Sequence, residues 1–305
     1  MEKQFKVLEE NAKMRLDVYI AQFAEVSRSL ASTLISSGKV YVNGEVSKAN
    51  YKVKTGDDIA VEEISRPELD VVAEPMDIDI VYEDDDVIIV NKQSGVVVHP
   101  AVGAPTGTLV NGLMHLSKQL SNVNGEFRPG VVHRIDKNTS GLIMFAKNDK
   151  AHECLSEQLQ AKTTTRKYIA LVHGVIPEDK LVIDAPIGRD QADRKKMTVT
   201  AKNSKQAITN VTVLKRFNDY TLVECQLTTG RTHQIRVHMK FVEYPIVGDP
   251  EYGRKKSFDC EGQALHAKTL GFIHPTTNEY IEFDSELPKA MTDVIAIIEE
   301  QDADA

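Results

Sequence analysis

Residues 131–148 read Val-Val-His-Arg-Ile-Asp-Lys-Asn-Thr-Ser-Gly-Leu-Ile-Met-Phe-Ala-Lys-Asn. The β-branched pair Val131-Val132 and the continuous apolar run at 142–146 have strand character, and Lys137-Asn138-Thr139-Ser140-Gly141 supplies turn residues between them. The stretch predicts strand, exposed loop, strand, with one carboxylate, Asp136, in the loop between Arg134 and Lys137. Nearby cations favour the charged form of a carboxylate, which suits it to act as a nucleophile or a base. The bland alternative is an aspartate that serves only local turn hydrogen bonding. Asp136, Asn138, Ser140 and Gly141 also fit the opening of an EF-hand loop. Its twelfth position falls on Lys147 instead of Glu, so calcium is rejected.

Upstream, residues 78–82 and 87–90 flank the acidic turn 83–86 as a hairpin that runs into Asn91-Lys92-Gln93-Ser94-Gly95-Val96-Val97-Val98-His99-Pro100, and 106–116 reads as a helix. Downstream, Asn148-Asp149 offers helix-cap chemistry ahead of Leu155 and Leu159, four apart on one face. A strand at 163–172 carries Tyr168 at its start. Residues 220–227 are strand-like, and Thr228-Thr229-Gly230-Arg231-Thr232-His233-Gln234-Ile235-Arg236-Val237-His238-Met239 follows as a loop entering a helix. His233 and His238, five apart, point to different sides of a helix and do not form a zinc pair.

The segment His133-Arg134-Ile135-Asp136 with Lys137, Thr139, Ser140, Gly141 and Leu142 resembles the catalytic loop of the RluA-type pseudouridine synthases. Three further stretches are similar to motifs of that family: Asn-Lys-x-x-Gly-x-x-x-His-Pro at 91–100, where Gln93 replaces the usual proline; Lys-Tyr-x-Ala-Leu-Val-x-Gly at 167–174; and Thr-Gly-Arg-x-His-Gln-Ile-Arg-x-His at 229–238. Near the N-terminus, Ser27-Arg28-Ser29 offers an N-cap, Leu30, Leu34 and Ile35 form one apolar stripe, and Gly38 stands where a C-cap glycine belongs. Asn43-Gly44 between Val40/Val42 and Val46 is a strong hairpin turn. With Arg15-Leu16-Asp17, this helix-plus-hairpin module resembles the S4 RNA-binding domain.

The organisation expected is an S4-like module at 13–61, an acidic linker at 62–77, a catalytic domain at 78–290 and an acidic C-terminal tail at 291–305, with residues 1–12 a loose start. The fold class expected is α+β: a mixed, largely antiparallel central sheet with flanking helices, plus the small α/β module. The chain has 305 residues, 41% of them hydrophobic, and no apolar run long enough to span a bilayer, so a soluble, cytoplasmic protein is expected. Three scattered cysteines indicate neither a disulfide framework nor a zinc site. The net charge is −8, but residues 62–86 contribute −10 and 291–305 contribute −5. The remaining body carries +7, compatible with a polyanionic partner.

The resemblance implies conversion of uridine to pseudouridine in RNA: uracil is detached from C1′, turned and rejoined through C5, with no redox change, metal or other cofactor. A stacked base must be flipped out to be reached. Asp136 would be the nucleophile or the group promoting glycosidic cleavage. Arg231 would pair with it, Tyr168 would stack on the base and take part in removing the C5 proton, and Arg134 would fill the vacated space. Arg15, Arg28 and Lys39 of the S4-like module would contact phosphates. The basic cluster Arg189, Arg194, Lys195 and Lys196 either lines RNA or faces water. The partner implied is large-subunit (23S) ribosomal RNA or a pre-ribosomal particle, bound by a monomer, with transfer RNA as the alternative substrate. A non-catalytic RNA-binding protein and a metal-dependent hydrolase are the competing classes, and the loop, tyrosine and arginine motifs favour the synthase over both.

Overall fold

Asn43 and Gly44 both adopt positive φ, 54° and 84°, the geometry of a tight hairpin turn matched to strand twist. The computed structural model describes residues 3–24, 28–62, 71–101, 103–116, 119–121, 123, 128–193 and 196–304, without the side chains of residues 28–30 and 33. The chain divides into two compact units, Met1–Glu68 and Leu69–Ala305.

The hairpin belongs to an antiparallel sheet of β1 (Lys3–Lys6), β2 (Val40–Val42), β3 (Glu45–Val46) and β4 (Asp58–Val61), ordered β1-β4-β2-β3. Helices α1 (Leu16–Phe23) and α2 (Arg28–Ser36) pack Leu16, Tyr19, Ile20, Leu34 and Ile35 against Val40, Val53, Ile59 and Val61. Of the loose start expected for residues 1–12, residues 3–12 are instead built into the unit. β1 pairs along its length with β4, and Val7 is buried. Four residues are too few to display an alternation, and the partner strand lies at the far end of the unit. The Ser27 cap expected for α2 lies outside the described residues.

The second unit contains β5 (Asp79–Glu83), β6 (Val87–Lys92), α3 (Leu109–Leu116), β7 (Ser140–Ala146), α4 (Asp149–Ala161), β8 (Thr165–His173) and β9 (Lys180–Asp184). A small sheet of β10 (Ile187–Arg189), β11 (Met197–Val199) and β12 (Ser204–Lys205) follows, then β13 (Ile208–Arg216), β14 (Tyr220–Leu227), α5 (Gln234–Phe241), β15 (Leu265–Ile273), β16 (Tyr280–Asp284) and α6 (Lys289–Ala303). The large sheet runs β5-β6-β7-β15-β8-β14-β13-β9, with β16 on β15, and every pairing is antiparallel except β7 with β15. This is the mixed, largely antiparallel sheet expected. Residues 142–146 read as an unbroken apolar run because β7 is covered on both faces. Ile143 and Phe145 enter one core with α3, α5 and α6, whereas Leu142, Met144 and Ala146 enter another with Ala151 and Leu155 of α4. The cap expected at Asn148 is made, its Oδ1 accepting from the Ala151 N–H at 2.9 Å.

Two boundaries differ from expectation. Residues 71–77, expected as linker, pack on α3. Val71 is buried, Asn111 Nδ2 donates to the Val72 carbonyl at 2.8 Å, and the Glu74 N–H donates to the Asn111 carbonyl at 3.0 Å. Gly112 makes the approach possible, since a Cβ there would stand 2.7 Å from Met76 and Ile78 side-chain atoms. The acidic tail is mostly the helix α6, which buries Met291, Val294 and Ile298, spaced three and four apart, in the main core while Asp293, Glu299 and Glu300 are exposed. Ile298→Ala should therefore cost about 2–5 kcal/mol. Ile297→Ala, one residue away and exposed, should cost under about 0.5 kcal/mol. Equal effects of the two in denaturant unfolding would contradict the placement of α6.

Candidate active site

The loop at 136–140 is pinned residue by residue. The Thr139 N–H donates to the Asp136 carbonyl at 3.1 Å, and the Gly95 N–H donates to the Lys137 carbonyl at 3.0 Å. Ser94 Oγ shares its proton between the Glu261 carbonyl at 2.6 Å and the Asn138 carbonyl at 3.2 Å, Gln263 Nε2 donates to Thr139 Oγ1 at 3.0 Å, and Ser140 Oγ lies 2.9 Å from His266 Nδ1. Lys92 is almost fully buried and gives its three N–H groups to the carbonyls of Gln93, Val96 and Lys137 at 2.8, 2.9 and 2.9 Å. Burial pushes its ammonium down to about 7, with Asp136 pulling the other way. Gly141 closes the loop. Its φ is +107°, and a Cβ would meet the Ala267 carbonyl oxygen of β15 at 2.3 Å, so only glycine fits this junction.

Asp136 projects from this fixed loop, and its Oδ2 accepts from Arg236 Nη1 at 3.1 Å. Arg236 is itself buried and forks onto Asp249, with Nε to Oδ2 at 2.6 Å and Nη2 to Oδ1 at 2.9 Å, and reaches Glu251 Oε2 at 3.2 Å. Its guanidinium carbon lies 4.9 Å from the centre of the Tyr252 ring. Burial opposes its charge, but the hydrogen bonds and attraction of Asp249 and Asp136 outweigh that and raise the guanidinium above its ordinary value. Arg236 is a cation locked in orientation before Asp136 is considered.

The pairing expected between Arg231 and Asp136 is not made. Arg231 precedes α5, and its Nε donates to the Gln206 carbonyl at 2.9 Å while its N–H donates to Gln234 Oε1 at 3.0 Å. Five residues later, Arg236 lies in the first turns of a helix buried on nearly all sides, and there it faces the loop. His233 also comes close, its Nε2 3.9 Å from Asp136 Oδ1 and its Nδ1 2.9 Å from the Tyr252 hydroxyl. His238 points elsewhere, between Thr209 Oγ1 and the Ala185 carbonyl, each at 2.9 Å. Arg236 and His233 both stand in the quoted motif, yet nothing in residue order singled them out from Arg231.

Asp136, Tyr168, Arg134 and Arg231 line one cavity of about 510 Å³, within the ordinary range of small-molecule sites. Tyr168 is buried on β8, opposite the small residues Cys225 of β14 and Ala267 of β15. Burial raises its hydroxyl above the usual tyrosine value, opposed by Arg166 and reinforced by Asp136. Arg134 is exposed and donates from Nη2 to Thr232 Oγ1 at 3.2 Å, bridging the two loops that frame the cavity. In the N-terminal unit, Arg15 forks onto Asp17 at 2.9 and 3.1 Å, so a phosphate would have to share it. Lys39 is partly buried beside β2. The side chain of Arg28, and Arg194 and Lys195 of the basic cluster, lie outside what is described.

The mixed sheet with few helices is shared with solved pseudouridine synthases. The solved structure of human RNA Pseudouridylate Synthase Domain Containing 1 covers 74% of this chain and 97% of its own, at a TM-score of 0.57 and 25% identity. Residues 86–241 match the family described as RNA pseudouridylate synthase and residues 14–59 match the S4 domain. The chain belongs to this family, as an RluA-type RNA pseudouridine synthase with an S4 domain at its N-terminal end. It is 57% identical over 289 residues to the uncharacterized RNA pseudouridine synthase YlyB of Bacillus subtilis, covering 94% of this chain and 95% of the relative. It is 42% identical over 297 residues to the ribosomal large subunit pseudouridine synthase D of Neisseria meningitidis serogroup B, covering 93% and 78%. Among the described residues no helix is long and apolar enough to cross a membrane.

Proposed function

We propose that this enzyme isomerises specific uridines of large-subunit ribosomal RNA, flipping each target into the cavity walled by Tyr168 and using Asp136 as the group that opens the glycosidic bond. The observation that carries this reading is the Asp136 carboxylate, fixed by a pinned loop and by Arg236 at a cavity with a buried tyrosine. Arg236 takes the part expected of Arg231: it holds the carboxylate at a defined angle through a charge-assisted hydrogen bond. A flipped base costs a few kcal/mol in lost stacking and pairing, which stacking on Tyr168 would partly offset. Arg134, at the exposed mouth, is placed to enter the gap left in the RNA. The S4 domain supplies additional RNA affinity, and the relatives named for the large subunit favour ribosomal RNA over transfer RNA.

The test is incubation of the purified enzyme with unmodified large-subunit ribosomal RNA bearing tritium at uracil C5. Release of the label together with new pseudouridines at discrete positions is expected. Release from transfer RNA but not from ribosomal RNA would overturn the substrate assignment, and release from neither would overturn the function.

A further inference from the structure

Arg166 is, with Arg236, one of two buried arginines among the described residues. Arg236 has three carboxylates. Arg166 has none, and makes no ion pair or side-chain hydrogen bond within the described residues. Its Nε is sealed from solvent with no partner at all. Leaving a buried cation unpaired is costly, so such a group is kept for something that arrives.

Its position indicates what arrives. Arg166 stands two residues before Tyr168 on β8, so both side chains leave the same face of the strand, whereas Lys167 points the other way toward Glu224 at 3.6 Å. Arg166, Tyr168 and Asp136 line the same cavity. The turn at 229–231 closes over the guanidinium. A Cβ on Gly230 would lie 2.8 Å from Arg166 Nη1, and since the backbone of Gly230 is not left-handed, the glycine is needed for room and not for conformation. The neighbouring His133 ring has its Nε2 engaged, accepting from the Met144 N–H at 3.1 Å. Burial first and Arg166 second push that imidazole down to about 3, so it stays neutral and leaves Arg166 as the cation of this wall.

We propose that Arg166 binds the carbonyl edge of the uracil stacked on Tyr168 and carries the negative charge the ring gains while it is detached from the ribose. This rests on the function proposed above. When the C1′–N1 bond breaks, its electron pair stays with the ring and spreads over N1 and the carbonyl oxygens, while the Asp136 carboxylate bonds to C1′. When C5 bonds to C1′ the carboxylate leaves with the pair it brought. The C5 proton is then lost and N1 gains one, so the product is an isomer. A planar guanidinium buried in the cavity wall fits such a delocalised oxyanion.

The experiment is single-turnover pseudouridine formation on unmodified large-subunit ribosomal RNA with enzyme in saturating excess, for wild type, Arg166→Gln, Arg166→Lys and Gly230→Ala. Arg166→Gln should slow the step ~10²–10³-fold. RNA affinity and its salt dependence should be unchanged, and Arg166→Lys should recover part of the rate. Gly230→Ala, which displaces the guanidinium without removing it, should also slow the step. It decides the matter if Arg166→Gln fails to fold. A saturating rate within about threefold of wild type in folded Arg166→Gln, or in Gly230→Ala, overturns the proposal. So does a defect confined to affinity with a salt slope reduced by about one, which would assign Arg166 to an RNA phosphate. Wild type that forms no pseudouridine is a separate failure, that of the function itself.

Discussion

Asp136→Asn is expected to abolish pseudouridine formation, lowering the single-turnover rate by roughly 10⁴-fold or more, as removal of a nucleophile does elsewhere. Asparagine keeps the shape of the side chain and can still accept from Arg236 Nη1, so the loop, held by Lys92, Ser94, Gly95 and Gln263, should not move. The stability change should be no more than about 1 kcal/mol, because Asp136 is partly exposed and Arg236 retains Asp249. RNA affinity should be unchanged or slightly tighter, since one negative charge facing a polyanion is removed. Intact binding with no tritium release separates a chemical role from a binding one. Activity within tenfold of wild type in a folded Asp136→Asn protein would contradict any role of this carboxylate in opening the glycosidic bond.

Arg236→Ala should be the single change at the site most damaging to stability, and it should lower the rate as well. It strands Asp249, whose side chain is wholly buried, with only the N–H groups of Glu251 and Tyr252 at 2.9 and 3.0 Å to satisfy it. Removing one partner of a buried pair costs about 3–5 kcal/mol. The pH dependence has a definite sign. Burial works to raise Asp249, but Arg236 outweighs it and holds the folded-state value below the ordinary one, a contribution present at neutral pH and lost as pH falls through the folded-state value. Without Arg236, burial raises Asp249 instead, a penalty present at neutral pH that fades as the group protonates. The destabilisation by Arg236→Ala should therefore shrink as pH is lowered from about 7 toward 4. Thermal unfolding across that range checks it, and a pH-independent deficit would count against the pair. Arg236→Lys should fold better yet still lose most of the rate, because one ammonium cannot fork onto Asp249 and also reach Asp136. Arg231→Ala leaves the Asp136–Arg236 pair in place, so it should slow the reaction less than Arg236→Lys does. The reverse order in single-turnover rates would restore Arg231 as the partner of the carboxylate.

Much of this enzyme was determined locally. The Asn43-Gly44 turn, the Asn148 cap and the apolar run of β7 each depend on residues within a few positions of one another and form where residue order places them, whereas the strand expected at Val131-Val132 ahead of the Asp136 loop is reduced to a single bridge from Val131 to Phe145. Tyr168 was legible for the same reason, being a residue on a strand with a recognisable neighbourhood. What tertiary structure alone decided involves partners far apart. β15 is drawn from residues 265–273, yet it inserts between β7 and β8, setting the lateral spacing between the loop of Asp136 and the ring of Tyr168. The choice of Arg236 over Arg231 depended on which arginine faces the loop, and α5, buried from Gln234 to Met239, shows no polar face from which that could be read. The first strand was likewise invisible because its pattern is completed only by its partner β4, whereas the last helix carries the three- and four-residue spacing of Met291, Val294 and Ile298 that residue order already offered. The buried, unpaired charge of Arg166 belongs to the same class, since an arginine on a strand declares neither its burial nor its lack of a carboxylate until the strands on either side are in place.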